Sequence, residues 1–388
     1  MSLQPVSPNA DILRLVDEGY EVEIRRDHLL LHHVPYVTPE KTVAYGVLVS
    51  ALSIEANQIA PLSTHVAFFV GQFPCTRDGT PMKAQLEHGG ASEPIPGLRV
   101  DFSFSHKPKS GYRDYHHKMT RYVEVISEQA QAIDPEVTAK TFRPIVLQAH
   151  ESVFLYLDTN STRAKIAAVA EKLRGRKVAI IGLGGTGSYV LDLVAKTLVD
   201  EVHLFDGDRF SQHNAFRSPG APSLEELGER QFKVAYFAKI YGRMRRAIHV
   251  HPQHVTAANV GELAAMDFVF ICIDDGPSKK VVSDFLAAQG KTFIDVGLGV
   301  HEKNGKLFGV VRSTTSAPEK RDHFAKLVSF AQVRDDVYDS NIQIAELNML
   351  NAAMAVIKWK KLWGFYHDVE GEFDSTYTIN TNQLLGDD

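Results

Sequence analysis

The chain has 388 residues, 44% of them hydrophobic and 23% charged, with a formal net charge of −5. That length predicts two or three domains with ordinary globular cores, and the negative balance argues against nonspecific nucleic-acid binding. Two cysteines leave no disulfide framework; without an N-terminal signal peptide or an apolar run long enough to span a bilayer, the expected location is cytoplasmic and off the membrane.

Residues 1–155 read as a small α+β domain built from hairpins. Pro8 to Asp17 predicts a short helix, and Tyr20 to Val37 predicts strands around a turn at Arg26-Asp27-His28. A strand is expected over His65 to Val70, a loop over the polar stretch Lys83 to Leu98, an alternating strand at Phe102 to Ser105, and a helix over Lys118 to Ala132. Nine of the 17 histidines fall in this half, but neither His32-His33 nor His116-His117 has a spacing that fixes metal ligands on one helix face. Polar or partner-contacting roles are expected for them, and the polar and aromatic run from Ser105 to His117 suits a recognition surface. The polar cap signal at Leu157 to Ser161 opens a helix expected over Arg163 to Leu173, and residues 156–388 read as the second domain.

That second domain carries five short pieces in fixed order. The β-branched run ending at Ile181 predicts a buried parallel strand. Gly182, Gly184, Gly185 and Gly187 follow it in a turn whose N–H groups can approach a phosphate, and Thr186 to Val199 reads as the first crossover helix. Asp206 ends the next strand about 20 residues further on, where a ribose-binding carboxylate belongs. To this point ATP and NAD fit equally well. Asn214, Arg217 and Lys233 tip the balance, since a guanidinium fork and an ammonium serve a triphosphate and a dehydrogenase has no need of them. Lys233 begins an amphipathic segment, Gln231 to Arg246, whose basic end at Arg243, Arg245 and Arg246 reads as a solvated helix terminus. Asp274 ends the fourth strand at the carboxyl edge, placed for a magnesium ion. A long helix is expected over Asn341 to Trp363, apolar along Ile344, Leu347, Leu350, Ala353, Met354 and Ile357.

The set resembles the ThiF/MoeB family and the adenylation domains of ubiquitin-activating enzymes, from about Arg163 to the C-terminus. The resemblance implies a Rossmann-like, mainly parallel α/β fold. It also implies a glycine loop at Gly182, Gly184, Gly185 and Gly187, acidic residues at Asp206 and Asp208, the family's Asn-x-x-Arg at Asn214 and Arg217, the nucleotide lysine at Lys233 and the magnesium aspartate at Asp274. The implied activity is ATP-dependent adenylation of the C-terminal glycine carboxylate of a ubiquitin-like or sulfur-carrier protein. The extra N-terminal module is similar in layout to that of activating enzymes of bacterial ubiquitin-like operons, which implies that it selects the ubiquitin-like protein, a conjugating enzyme or the target. A homodimer is implied, with an arginine from the helix before the first strand reaching the neighbouring site; Arg163 is the candidate, with Arg143, Arg174 and Arg176 as rivals and a surface salt bridge as the alternative role.

The departures are specific. With only Cys75 and Cys272, the family's four-cysteine zinc site cannot form, so no structural zinc is expected. The crossover region Arg312 to Asn341 lacks the catalytic cysteine of ubiquitin-activating enzymes, Cys272 reads as a small buried hydrophobe, and Lys279 or Lys280 stands where the family has an arginine. A silent binding partner in a conjugation complex and an NAD-dependent oxidoreductase remain the alternatives.

Overall fold

The computed structural model describes residues 9–55, 58–147, 149–150, 152–331 and 342–387. The chain separates into two compact units, residues 1–165 and 166–388. In the first, Asn9 caps the helix Ala10–Asp17, its side-chain oxygen accepting from the N–H groups of Asp11 at 3.0 Å and Ile12 at 3.1 Å. Six strands form an antiparallel sheet in the order Val22–Arg25, His28–Val37, Val43–Ala51, Val66–Val70, Phe102–Ser105 and Glu87–Gly89. The helix Tyr115–Gln131 lies on it through Met119, Tyr122 and Ile126, which meet Leu29, Leu31, Phe69 and Phe104 in one core.

Two sequence expectations fail here, one within this unit and one where the chain passes into the next. The stretch from Lys83 to Leu98 is not all loop, since it carries the edge strand Glu87–Gly89 and a hairpin of Ser92–Ile95 with Leu98–Val100. That hairpin packs Ile95, Leu98 and Val100 on Leu30 and Val49, covering the sheet face that the helix leaves open, so tertiary packing overrides its polar composition. The helix expected over Arg163 to Leu173 is broken. Asp158 caps a five-residue helix, Thr159–Arg163, the chain turns through a positive φ at Lys165, and helical turns resume only at Ala167–Ala170.

Lys118 is fully buried on the long helix, its ammonium donating to Ser50 Oγ at 2.8 Å, Thr64 O at 3.0 Å and Val66 O at 2.6 Å. Burial pushes its pKa down to about 7. A base whose folded pKa lies below its unfolded one binds fewer protons folded than unfolded, so stability rises with pH between about 7 and 10.5. In urea unfolding of the full chain, this unit is expected to gain up to about 1.4 kcal/mol per pH unit across that window, a slope that Lys118→Met removes. An unchanged slope in the variant would exclude Lys118 as its source.

The second unit is built on one eight-stranded sheet. Its strands are β1 (Lys177–Ile181), β2 (Glu201–Phe205), β3 (Ile248–His251), β4 (Phe268–Ile271), β5 (Phe293–Lys303), β6 (Lys306–Ser316), β7 (Asp374–Thr378) and β8 (Gln383–Asp387). They run 3-2-1-4-5-6-7-8, with β3 to β5 mutually parallel and β6 to β8 antiparallel. Alternate residues of β1 serve two cores: Val178 and Ile180 face one helical layer, Ala179 and Ile181 the other. The principal helices are α1 (Gly185–Val194), α2 (Lys233–Tyr241), α3 (Gly276–Ala288) and α4 (Ala345–Leu362). The β5–β6 hairpin turns on Asn304 and Gly305, both at positive φ, as a two-residue turn requires.

The sequence misplaces two faces here. The expected apolar stripe of the last helix is not its buried one: Ile357 is exposed, while Asn348, Asn351, Ala352, Ala355, Val356 and Trp359 are buried, and Asn341 lies outside the described residues. Small and amide side chains are selected because α4 packs closely on α1 and the glycine turn. Arg245 is not a solvated helix end. It is buried, with Nη2 donating to Val199 O at 2.6 Å and Nε to Arg246 O at 3.1 Å.

Candidate nucleotide site

The reversal of strand order falls between β1 and β4, and the carboxyl ends of these strands open into a cavity of about 580 Å³, a size suited to a cofactor or nucleotide. A second cavity of about 420 Å³ adjoins it, sharing Gly182, Asp206, Asp208, Ile273 and Asp274. The first cavity's lining comes wholly from the second unit.

The turn after β1 is shaped by contact. Gly182 has φ +87°, and a Cβ there would sit 2.7 Å from the Cys272 carbonyl oxygen. A Cβ on Gly187 would collide with the Gly182 carbonyl, so α1 starts directly under the turn. Gly184 has open space where a side chain would stand, leaving its backbone facing the cavity.

Asp206 is buried at the end of β2, and both its oxygens are engaged: Oδ2 accepts from Leu183 N at 2.7 Å and Oδ1 from Asp208 N at 2.8 Å. It fixes the loop conformation and presents its remaining lone pairs to the cavity. Lys233, buried at the first turn of α2, donates Nζ to Asp208 Oδ2 at 2.7 Å and lies 3.6 Å from Asp206 Oδ2. Burial alone would raise the Asp208 carboxyl; the Lys233 hydrogen bond and charge, with His254 and Arg217, hold it below its ordinary value.

Asn214 spends its side-chain oxygen on a capping box with Ser211, accepting from Ser211 N at 2.9 Å, and its buried amide nitrogen has no protein partner. The same holds for the buried Nε of Arg217. Burial lowers the Arg217 pKa, with the charges of Asp274 and Asp208 opposing that shift. Arg217 lines the cavity with the phosphate-type turn, so its unsatisfied buried donor fits an anionic ligand, whereas Asn214 lines neither cavity. Asp274 is exposed three residues past β4 and lines both cavities. Its carboxylate beside the phosphate-sized space fits magnesium, which takes one or two carboxylates and completes its shell with phosphate and water.

Sequence reasoning missed the floor of the cavity. Asp295 on β5 has no exposed surface and is paired to Lys279 Nζ at 2.9 Å and Arg312 Nη2 at 2.6 Å. Lys279 therefore takes the inward position, while Lys280 pairs with Asp284 on the surface at 2.9 Å. Asn348 Oδ1 accepts from Thr186 Oγ1 at 2.9 Å, and Asn351 Nδ2 donates to Gly297 O at 3.0 Å. A polar residue every three to four positions in an apolar helix was the available signal for both asparagines.

Arg163 lies in the first unit, where its guanidinium donates to Asp17 O at 2.5 Å and stands 3.9 Å from Asp17 Oδ1. Cys75 is fully buried, with Sγ donating to Phe73 O at 3.3 Å, and burial raises its pKa, so it is a poor nucleophile. Cys272 lines the cavity with its thiol likewise pushed up by burial. Residues 332–341 of the crossover region lie outside the described residues.

Residues 158–357, more than half of the chain, match the ThiF family model. The chain belongs to the ThiF family. The family is one of ATP-dependent adenylating enzymes, and the second unit is assigned to it at that level. Residues 10–159 match a domain of unknown function, DUF6791. A comparison with curated proteins gave no match. Among solved structures, E. coli MccB with MccA-N7isoASN is 17% identical over 58% of this chain and 71% of that one, with a TM-score of 0.48. E. coli MccB with ATP is 18% identical over 56% and 65%, at 0.45. Selenomethionine PaaA is 14% identical over 79% and 98%, at 0.48. Among the described residues, no helix is long and apolar enough to cross a membrane.

Proposed function

We propose that this ThiF-family chain adenylates the C-terminal carboxylate of a ubiquitin-like or sulfur-carrier protein ending in glycine, using ATP and magnesium. The reading rests above all on the glycine turn opening beside Arg217 and Lys233, with the exposed Asp274 carboxylate across the same cavity. One oxygen of the carboxylate attacks the α-phosphorus of ATP, the bond from that phosphorus to the α–β bridging oxygen breaks, and pyrophosphate leaves with the electron pair. The protein's contribution is positioning and charge. Backbone groups of the turn hold phosphate oxygens, Asp206 orients the ribose, and Arg217 directs its unsatisfied N–H group at the phosphates. Lys233 exchanges Asp208 for a phosphate oxygen. Asp274 would hold magnesium, which supplies neutralisation of the departing pyrophosphate. With the Cys75 thiol buried, the acyl-adenylate is released or handed to another protein, for which the first domain is the recognition surface, a conjugating enzyme included.

The test is ATP–pyrophosphate exchange with candidate glycine-ended proteins. Exchange should appear with one of them and disappear when its C-terminal carboxylate is converted to the amide. Exchange that persists with the amide would reject the carboxylate as acceptor.

The proposed assembly is a homodimer in which Arg163 serves the neighbouring site, although the broken helix leaves it on a five-residue turn. Mixing inactive Arg163→Ala with inactive Lys233→Ala should restore part of the exchange, because each mixed dimer then holds one intact site. No recovery after confirmed subunit exchange would remove Arg163 from the reaction.

A further inference from the structure

We propose that Glu201, His203 and His249 form a zinc-binding site at the outer edge of the nucleotide-binding sheet. The site stands apart from the catalytic reading and does not depend on it.

The placement follows from strand geometry. Glu201 and His203 are two residues apart on β2, so their side chains share a face. His203 pairs in register with His249 on β3, and Phe205 with His251. The two strands thereby bring three imidazoles and a carboxylate together on one side of the sheet. The ligating atoms of Glu201, His203 and His249 all lie within 4.8 Å of one another. Glu201 Oε2 stands 2.9 Å from His203 Nε2 and 3.8 Å from His249 Nε2. Tetrahedral zinc ligands at about 2.0–2.1 Å from the metal are themselves about 3.4 Å apart, a value between those two distances. The His203 and His249 rings lie side by side, centroids 4.6 Å apart and planes within 22°, so both direct Nε2 at the same carboxylate.

The surroundings are those of a supported metal site. The far nitrogen of His203, Nδ1, lies 3.2 Å from His251 Nε2, and His251 Nδ1 lies 3.1 Å from Glu262 Oε2. The His251 ring is held flat on Phe205, 4.0 Å between centroids. A ligand histidine backed through its second nitrogen and ending on a carboxylate is the usual outer shell of a metal site. Glu201 Oε1 is taken by Lys177 Nζ at 2.9 Å, leaving Oε2 as the inward oxygen.

Counting donors gives an independent reason for a cation. The chain Glu201–His203–His251–Glu262 contains three contacts, and two neutral imidazoles carry only two N–H groups. With both rings neutral, one of the three contacts lacks a proton whichever tautomers are taken; where His203 donates to His251 and His251 to Glu262, it is the 2.9 Å contact of Glu201 Oε2 with His203 Nε2. A metal ion there turns both groups into ligands. His249, with 47% of its side chain exposed, gives solvent a route in and a water to the fourth position. Two imidazoles and one carboxylate favour zinc over magnesium, which takes oxygen ligands. The site uses no cysteine, so it differs in kind from the four-cysteine site the sequence excludes.

The experiment uses the full chain, stripped with a chelator and titrated with Zn²⁺ by calorimetry without nucleotide, in buffer containing Mg²⁺. One equivalent should bind and raise the melting temperature, and Co²⁺ in its place should give the visible bands of tetrahedral coordination. Glu201→Gln and His249→Ala, both changes at solvent-accessible side chains, should weaken the affinity at least tenfold, and His251→Ala about 10- to 100-fold. His301→Ala, on an exposed position of β5, should bind as wild type does. Zinc affinity unchanged in both Glu201→Gln and His249→Ala, or the absence of a saturable equivalent in wild type, would overturn the assignment.

Discussion

Asp274→Ala is expected to lower ATP–pyrophosphate exchange by about 10³-fold or more while leaving the fold intact. The separation of the two effects follows from where the residue sits. Asp274 is exposed beyond the end of β4, so its removal takes no packing from either core and should change stability by no more than about 0.5 kcal/mol. It also faces the two cavities and lies close enough to Arg217 to act on its charge. On the proposed mechanism, magnesium would lose its carboxylate ligand here, and the transition state would lose more than the ground state. Exchange and thermal unfolding measured on the same preparation separate site loss from misfolding. Exchange within tenfold of wild type at an unchanged melting temperature would take Asp274 out of the site. Thermal stabilisation by NADH, with none by ATP and magnesium, would overturn the adenylation reading altogether.

The largest expected loss of stability is at Asp295. Its carboxylate is wholly buried between the Lys279 ammonium and the Arg312 guanidinium, and both cations are themselves largely buried. Asp295→Asn keeps the shape and removes the charge. Two cations then remain under the cavity without their anion, which costs about 3–5 kcal/mol, far more than an exposed ion pair is worth. For a unit of this size, that corresponds to a fall in melting temperature of roughly 10 °C. The pairing of β5 with β6 carries the effect beyond the site, because Arg312 also donates to Thr314, whose hydroxyl donates to Asp374 Oδ1 at 2.5 Å. A change under about 1 kcal/mol would show that the trio is not a structural element of the sheet.

The nucleotide-binding half was legible because its chemistry sits on local signals. A β-branched run, a glycine turn and a strand-end aspartate are contiguous in the chain and become contiguous in space. What stayed hidden depends on contacts distant in sequence. Asp295, Lys279 and Arg312 come from a strand, a helix and the neighbouring antiparallel strand, and nothing in the spacing of 279, 295 and 312 announces a trio. On the last helix, apolar periodicity pointed to Ile357, yet the helix buries Asn348 and Asn351 because the partner surface is a backbone turn that needs hydrogen bonds. The strands between Lys83 and Leu98 were hidden by composition: polar residues at a sheet edge resemble loop when their hydrogen-bonded neighbours are unknown. The cluster of Glu201, His203 and His249 was equally silent, since its members lie on two strands 46 residues apart at their paired histidines.

The hydrogen bond between Lys233 and Asp208 has a consequence for what the cavity will accept. The buried ammonium already has a counter-anion of its own at 2.7 Å, the exposed carboxylate of Asp208. On the proposed reading, a phosphate that takes the Lys233 proton now given to Asp208 must hold it more strongly than that carboxylate does. A dinucleotide, whose two bridging phosphates carry one negative charge each, meets Asp208 on nearly equal terms. The terminal phosphate of a triphosphate carries more, of which a bound metal ion offsets part. If Lys233 holds a phosphate as proposed, Asp208 is its internal rival, and the exchange of one anion for another is part of what a nucleotide must accomplish on entry.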